Sequence, residues 1–301
     1  MVTSQTVTEL RLRKKQLKSL IQRTGGLSRI KPGLLNKLGI YSGYRGIWTE
    51  KKRTKKMTKD GGGVAISLLH TGEFYPDEIS EDGLVYHYPV TEKPGHDKSE
   101  IESTKNAQRL SLPIFIITHS EKNDTLRDVK FGWVAGWDDR SKEFYIDFQD
   151  KKQPRMVKPL SEDDEAFHLT EKSEDKRSLS KRRIGQAKFQ FRVFQRYGPN
   201  CAVCDLEVRD VLIAAHIRGI EKHGSNDPRN GIVLCANHHL AMDSGLFAIN
   251  PKSLKIKVLP KGPSAKKLRI TRKDIMHLRD KPHDLALSWL WKKFERNRKK
   301  L

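Results

Sequence analysis

The chain has 301 residues, with 59 Lys and Arg against 37 Asp and Glu and a formal net charge of +22. That length allows about two domains with ample core, and the charge implies a polyanionic partner. No run approaches the roughly 20 apolar residues of a membrane span, and the N-terminus lacks the apolar stretch of a signal peptide, so a soluble, cytoplasmic protein is expected.

Residues 1–60 hold 16 Lys or Arg against 3 Asp or Glu, which argues against an evenly spread, merely solubilising charge. Leu10, Leu17 and Ile21 recur at helical spacing and predict a basic helix ended by Gly25-Gly26. Such a helix either contacts phosphate or is simply solvated. The run Lys51-Lys52-Arg53-Thr54-Lys55-Lys56 precedes Gly61-Gly62-Gly63 and reads as a loop that rides on a nucleic-acid backbone and closes on binding. From residue 43 to about 150 the texture changes to short strands, at 64–69, 84–88, 114–117, 130–134 and 143–148. Five strands with few helical patterns predict a barrel-like β domain with one short helix near residues 100–110.

Within that region, GGVAISLLHTGEFYPDEISEDGLVYHYP (62–89), STKNAQRLSL (103–112) and VKFGWVAGW (129–137) follow one another in an order that is similar to the SET- and RING-associated (SRA, or YDG) domain, a PUA-type fold. Members of that family flip a methylated cytosine out of duplex DNA, sandwich it between two aromatic rings and read its amino edge with a carboxylate. The resemblance implies Tyr75 and Tyr88 as stacking residues and Asp77 or Glu78 as the carboxylate. The family's Tyr-Asp-Gly signature is replaced by Phe131-Gly132-Trp133, and the acidic turn is one residue longer. The alternative is a β-barrel core in which Tyr75 and Tyr88 are packing aromatics.

Residues 151–183 are acidic around 161–165 and then rich in Ser, Lys and Arg, with little apolar content, as in a flexible linker. The expected organisation is a basic helical segment over 1–40, an SRA-like DNA-reading domain over 41–155, a linker over 156–183 and a nuclease domain over 184–301. Phe189 and Val193 share one face of a helix that leads into the next segment.

Residues 197–250 gather all three cysteines, Cys201, Cys204 and Cys235, with His216, Asn230, His238 and His239. Cys201-x-x-Cys204 and Cys235-x-x-His238 are two ligand pairs whose spacing closes a tetrahedron around structural Zn2+. With every cysteine so assigned, no disulfide framework remains and a reducing compartment is natural. His239 projects from a helix about 100° away from His238, and Asp243, four residues on, shares its face. Together they suit Mg2+, Mn2+ or a hydrolytic Zn2+. Residues 211–215 predict a buried strand ending at His216, residues 228–230 a turn, and 231–235 a second strand ahead of the helix. Solitary His70 and His223 read as ordinary polar residues.

The pattern AAHI…NGIVLC..HH…D.G resembles the HNH, or ββα-metal, nuclease family. The resemblance implies His216 as the general base that activates water. It implies that Asn230 pins the loop orienting that base or helps at the metal, and that His239 is a catalytic metal ligand with Asp243 as the second. Many members carry Asp, Glu or His just before the base, where this chain has Ala215. A zinc knuckle without catalysis would leave His216, Asn230 and His239 unexplained.

After residue 250, residues 255–259 alternate like an edge strand. Residues 285–294 form an amphipathic helix whose Trp289 and Trp291 are expected to cover the nuclease core. The fold class expected is therefore α+β and multidomain: an N-terminal β-barrel-like SRA (PUA-type) domain and a C-terminal ββα-metal nuclease domain with flanking helices. The two resemblances together imply a metal-dependent endodeoxyribonuclease that acts on double-stranded DNA containing 5-methylcytosine or another 5-modified cytosine. With one site per chain, a homodimer on DNA is expected. The alternatives are an HNH restriction nuclease that reads unmodified sequence or another mark such as phosphorothioate, and a catalytically inactive reader of modified DNA.

Overall fold

The computed structural model describes residues 4–42, 46–71, 79–120, 123–148, 154–160, 166–170 and 184–299. The chain divides into two units, with the boundary between Lys158 and Pro159.

In the first unit, helix α1 (Ser4–Thr24) stops at Gly25, whose φ of +71° turns the chain out of the helix. Of the Leu10–Leu17–Ile21 set at helical spacing, Leu10 and Leu17 are partly buried against the cores, but the most deeply buried positions are largely polar. Thr6, Glu9, Arg13, Gln16 and Leu20 are buried, and Ile21 is 41% exposed. The cause is a polar anchor. Arg13, with no exposed surface, donates to the carbonyls of Ala65 (2.9 Å) and Pro113 (2.7 Å), and its Nε donates to Glu9 (2.8 Å). Glu9 also accepts from Arg53 Nε at 2.9 Å. A buried guanidinium is tolerated only when its donors are met and its charge is paired, so these partners dictate which side of α1 turns in. Burial opposes ionisation of Glu9, but Arg13 and Arg53 outweigh it and hold the carboxyl below its usual range.

A short helix, α2 (Pro32–Lys37), and strand β1 (Ile47–Thr49) follow. The basic run after β1 is not a loop. Residues Lys51–Thr54 form helix α3 and Lys55–Met57 a 3-10 turn, with Thr54 buried and its hydroxyl accepting the Val64 N–H at 3.0 Å. Strands β2 (Ala65–His70), β3 (Gly83–His87), β4 (Ile114–Ser120), β5 (Asn123–Asp138) and β6 (Glu143–Asp147) occupy the five stretches expected to be strands. The short helix near 100–110 is longer, α4 (Pro94–Arg109).

The six strands lie in the order β1-β2-β4-β5-β6-β3, antiparallel except for the parallel β2–β4 pair. They form a curled half-barrel with edges at β1 and β3, rather than a closed barrel. Side-chain alternation explains the apolar run of β4. Ile114 and Ile116 enter the core that includes Ala107 of α4, while Phe115 and Ile117 enter the one that includes Leu20 of α1 and Leu35 of α2. Covered on both faces, the strand has no polar side. Gly132, within the Phe131-Gly132-Trp133 signature position, has a structural reason of its own: a Cβ there would lie 2.6 Å from the Asp147 carbonyl.

The second unit is built on helix α5 (Gln186–Tyr197), the hairpin of β7 (Leu212–His216) and β8 (Gly231–Cys235), and helix α6 (Ala236–Asp243). A second hairpin of β9 (Phe247–Ile249) and β10 (Ile256–Val258) follows, then α7 (Ala265–Leu268) and α8 (Asp284–Lys299). One core joins α5, both hairpins and α8, with Trp289 and Trp291 packed at its edge. Part of the stretch expected to be a linker is structured with this unit. Phe167 stacks on His283 with ring centroids 3.8 Å apart, and Thr170 bridges to Gly224. No helix among the described residues is long and apolar enough to cross a membrane.

Candidate functional site

Cys201, Cys204, Cys235 and His238 are all buried, and one ligand atom from each lies within 4.8 Å of every other. Cys235 Sγ is 3.0 Å and Cys201 Sγ 3.6 Å from His238 Nδ1. His238 Nε2 lies 2.9 Å from the Leu268 carbonyl, which takes that nitrogen's proton and leaves the Nδ1 lone pair facing the sulfurs. Further bonds tie the cluster to its surroundings. The Cys235 N–H donates to Cys201 Sγ (3.3 Å), the Thr271 and Arg272 N–H groups to the Val203 carbonyl, and Arg272 Nε to the Cys204 carbonyl (3.1 Å). Three thiols and an oriented imidazole in an apolar shell are a donor set suited to Zn2+.

The hairpin beside this cluster delivers His216 at the end of β7, opposite Gly231 of β8. Gly231 is required there. A Cβ would fall 2.5 Å from Val193 Cγ2 and 2.9 Å from Phe189 Cζ, so only glycine lets α5 press against the hairpin. That close approach lays the buried Phe189 ring flat on the His216 imidazole, with centroids 3.6 Å apart and planes 7° from parallel. His216 Nε2 is 3.1 Å from Asn226 Oδ1, and the Asn226 amide is oriented by donating Nδ2–H to the Ile184 carbonyl at 3.3 Å. With an acceptor on Nε2, that nitrogen carries the proton and Nδ1 is the basic atom. Burial pushes the imidazole down to about 4, against the smaller opposing effect of the Asn226 bond.

Asn230 is wholly buried and works on the loop that follows the base. Its Nδ2 donates to the carbonyls of Arg218 (3.0 Å) and Ser225 (2.9 Å), its Oδ1 accepts the Arg218 N–H (3.0 Å), and its own carbonyl accepts the Ile217 N–H (2.8 Å). Both ends of residues 217–225 are thereby fastened. Among the two expected tasks for Asn230, these bonds serve the loop.

On α6, His239 Nε2 and Asp243 Oδ2 stand 3.3 Å apart, both partly exposed, while His238 turns into the core. Two ligands on one hexacoordinate cation at about 2.1 Å sit about 3 Å apart, so the pair has the bite of a single Mg2+ or Mn2+ with its remaining positions open. Helix α6, which carries this pair, packs against β7, which ends at His216. Ala215 packs in the apolar core and supplies nothing to that surface.

In the first unit, Tyr75, Asp77 and Glu78 lie outside the described residues. Tyr88 is 9% exposed. Its ring lies 4.5 Å from Phe144 between centroids, Lys105 Nζ stands 5.6 Å from it, and its hydroxyl donates to Asp139 at 2.8 Å. It is held as a packing aromatic in this arrangement.

Sequence reasoning missed Asn226 and the role of Phe189. Asn226 lies in Gly224-Ser225-Asn226-Asp227-Pro228, whose composition signals only a turn. Nothing local in sequence shows that its amide reaches back ten residues to His216.

Residues 201–250 match the family model described as HNH endonuclease. No curated protein matches the chain. Among solved structures, the chain is similar to a modification-dependent TagI restriction endonuclease, at TM-score 0.35 and 18% identity over 89% of this chain and 92% of that one. It is also similar to the type IV phosphorothioation-dependent restriction endonuclease ScoMcrA, at TM-score 0.26 and 11% identity over 89% of this chain and 60% of that one.

Two outcomes are expected. Cys201→Ser should lower the tightly bound zinc, one ion per chain by elemental analysis, and reduce the melting temperature; full zinc retention would remove Cys201 from the ligand set. With metal saturating, kcat/KM should hold its value as pH falls from 7 to 5 and decline only towards 4, because a base is lost on protonation and His216 protonates late. An inflection near 6.5 would mean that an ordinary solvated imidazole limits the rate.

Proposed function

We propose that this chain, which carries an HNH endonuclease domain and is a nuclease, is a modification-dependent DNA endonuclease. In this reading the first unit binds duplex DNA containing 5-methylcytosine or another 5-substituted cytosine, and the second hydrolyses a phosphodiester bond. The observation that carries the hydrolytic half is the His216 imidazole, held at Nε2 by Asn226 at the end of β7, with the His239–Asp243 pair on the helix α6 that packs against that strand. The reading half is supported by the order of residues 62–137, which is similar to an SRA domain, and by the basic charge of residues 1–60.

The chemistry follows from these groups. His216 Nδ1 accepts a proton from the attacking water as its oxygen forms a bond to phosphorus, while the bond from phosphorus to the leaving oxygen breaks. Asn226 keeps the accepting nitrogen unprotonated beforehand and takes a stronger hydrogen bond from Nε2–H once the ring is charged. Phe189 fixes the ring plane, and Asn230 fixes the loop that carries the ring's chain neighbours. A divalent ion held by His239 and Asp243, Mg2+ or Mn2+, would stabilise charge on the phosphate and the leaving oxygen. Structural Zn2+ is assigned to Cys201, Cys204, Cys235 and His238.

In the first unit, Tyr75 with Asp77 or Glu78 is the proposed base-contacting set. Tyr88, the other aromatic implied by the resemblance, is buried against Phe144 with its hydroxyl on Asp139, so stacking on a base would require it to leave that packing. One hydrolytic site per chain makes a homodimer on DNA the arrangement for cutting both strands. We assign the protein to the cytoplasm, a reading supported by a DNA substrate and by the use of all three cysteines as metal ligands.

Cleavage of one plasmid sequence prepared with cytosine, 5-methylcytosine, 5-hydroxymethylcytosine or its glucosylated form, with Mg2+ and with Mn2+, tests the reading. Cutting confined to modified plasmids is expected. Equal cutting of all four would remove the modified-base reading and leave a general or sequence-specific nuclease.

A further inference from the structure

Two cations flank the nucleolytic surface without a carboxylate partner. Arg218 lies two residues beyond His216; its N–H is fixed by Asn230, its Nε donates to the Lys222 carbonyl at 2.8 Å, and its guanidinium carbon lies 5.7 Å from the centre of the Trp289 ring. Lys293, one turn after Trp289 on α8, places its ammonium 5.9 Å from the same ring and 3.0 Å from the carbonyl of Asp243. Among the described residues, Arg229, Arg279 and Arg298 are each paired with a carboxylate, at 2.7, 2.9 and 2.7 Å. Arg218 and Lys293 are not. The helix that brings Lys293 here is seated closely: a Cβ on Gly245, two residues past Asp243, would lie 2.4 Å from Asn297 Nδ2.

We propose that Arg218 and Lys293, both held against Trp289 with Lys293 on the Asp243 carbonyl, form a second phosphate-binding site for the DNA backbone. It takes the phosphodiester next to the scissile one and sets the latter between His216 and the His239–Asp243 pair. This rests on the nuclease reading of the second unit. Three physical arguments support it. Unpaired, partly desolvated cations over an aromatic ring are stabilised without being neutralised, so their charge stays available to an anion. A guanidinium fork suits two phosphate oxygens at once, and the ammonium adds a point charge. The Trp289 contact restrains both long side chains before DNA arrives, which lowers the ordering cost on binding. Arg218 lies within the matched residues 201–250, while Lys293 and Trp289 lie beyond them.

The test uses the full chain carrying His216→Ala, which leaves bound DNA uncut, and measures affinity for a short duplex over a salt series. Arg218→Gln and Lys293→Gln should each weaken binding about tenfold and flatten the slope of log affinity against log salt by about one. Trp289→Leu removes no charge and should weaken binding in the same direction. Lys257→Gln, which removes an exposed charge on β10, should change neither quantity. Zinc content and melting temperature are measured alongside, because Lys293 also bonds the end of α6; if Lys293→Gln loosens the fold, Arg218→Gln alone decides. An unaltered salt slope in folded Arg218→Gln overturns the site. Slopes that move as expected in a chain whose His216 form cuts no DNA would keep the site and remove the catalytic reading.

Discussion

The hydrolytic surface depends first on the convergence of Cys201, Cys204, Cys235 and His238. Four polarisable ligand atoms buried within 4.8 Å of one another have no apolar reason to meet. A cation that ionises the thiols turns that cost into folding free energy. Its position matters as much as its strength. The cluster that would hold it joins the turn at 201–204, the end of β8, the start of α6 and, through Leu268 and Arg272, the segment after α7. Helix α6 has only eight residues, too few to hold itself in water. Pinned at its first turn, it can present His239 and Asp243 outward while His238 faces in.

A second constraint, at Gly231, sets the base. The missing side chain admits Phe189 and Val193 of α5, Phe189 covers His216, and the covered ring becomes a weaker base with one defined proton position. In the proposed reaction the lowered basicity would weaken the driving force for taking a proton from water while keeping the ring unprotonated at neutral pH. Asn226 and Asn230 divide the remaining work, one on the ring and one on the loop. Neither bond network would survive an apolar substitution, since each leaves buried backbone or ring groups without partners.

Much of the second unit was legible from residue order because its chemistry is local. Ligand pairs two residues apart, a strand ending in histidine, a turn at 228–230 and a helix with His239 and Asp243 four apart are all short-range patterns. Asn226 was not legible, because its function lies in a contact that loop composition does not encode. In the first unit the five strands were readable from alternation and apolar runs, but the polar anchor of α1 was not. Leu10 and Leu17 at helical spacing do pack inward, but hydrophobic periodicity does not show that Arg13 is drawn into the core by carbonyls at residues 65 and 113, far away in sequence. The basic run at 51–56 misread in a similar way. Its charge indicated an exposed loop, but Thr54 and the Glu9–Arg53 pair fold it into a helical turn against α1.

In the proposed mechanism, one divalent ion held by His239 and Asp243 would meet the phosphate that His216 helps to hydrolyse. Crystals of the His216→Ala chain with duplex DNA, grown in Mn2+ and measured at the manganese absorption edge, locate that ion directly. An anomalous peak about 2.1 to 2.2 Å from His239 Nε2 and an Asp243 carboxylate oxygen is expected, with a phosphate oxygen among its other ligands. Manganese bound only elsewhere, with His239 and Asp243 still paired to each other beside the DNA, would contradict that mechanism.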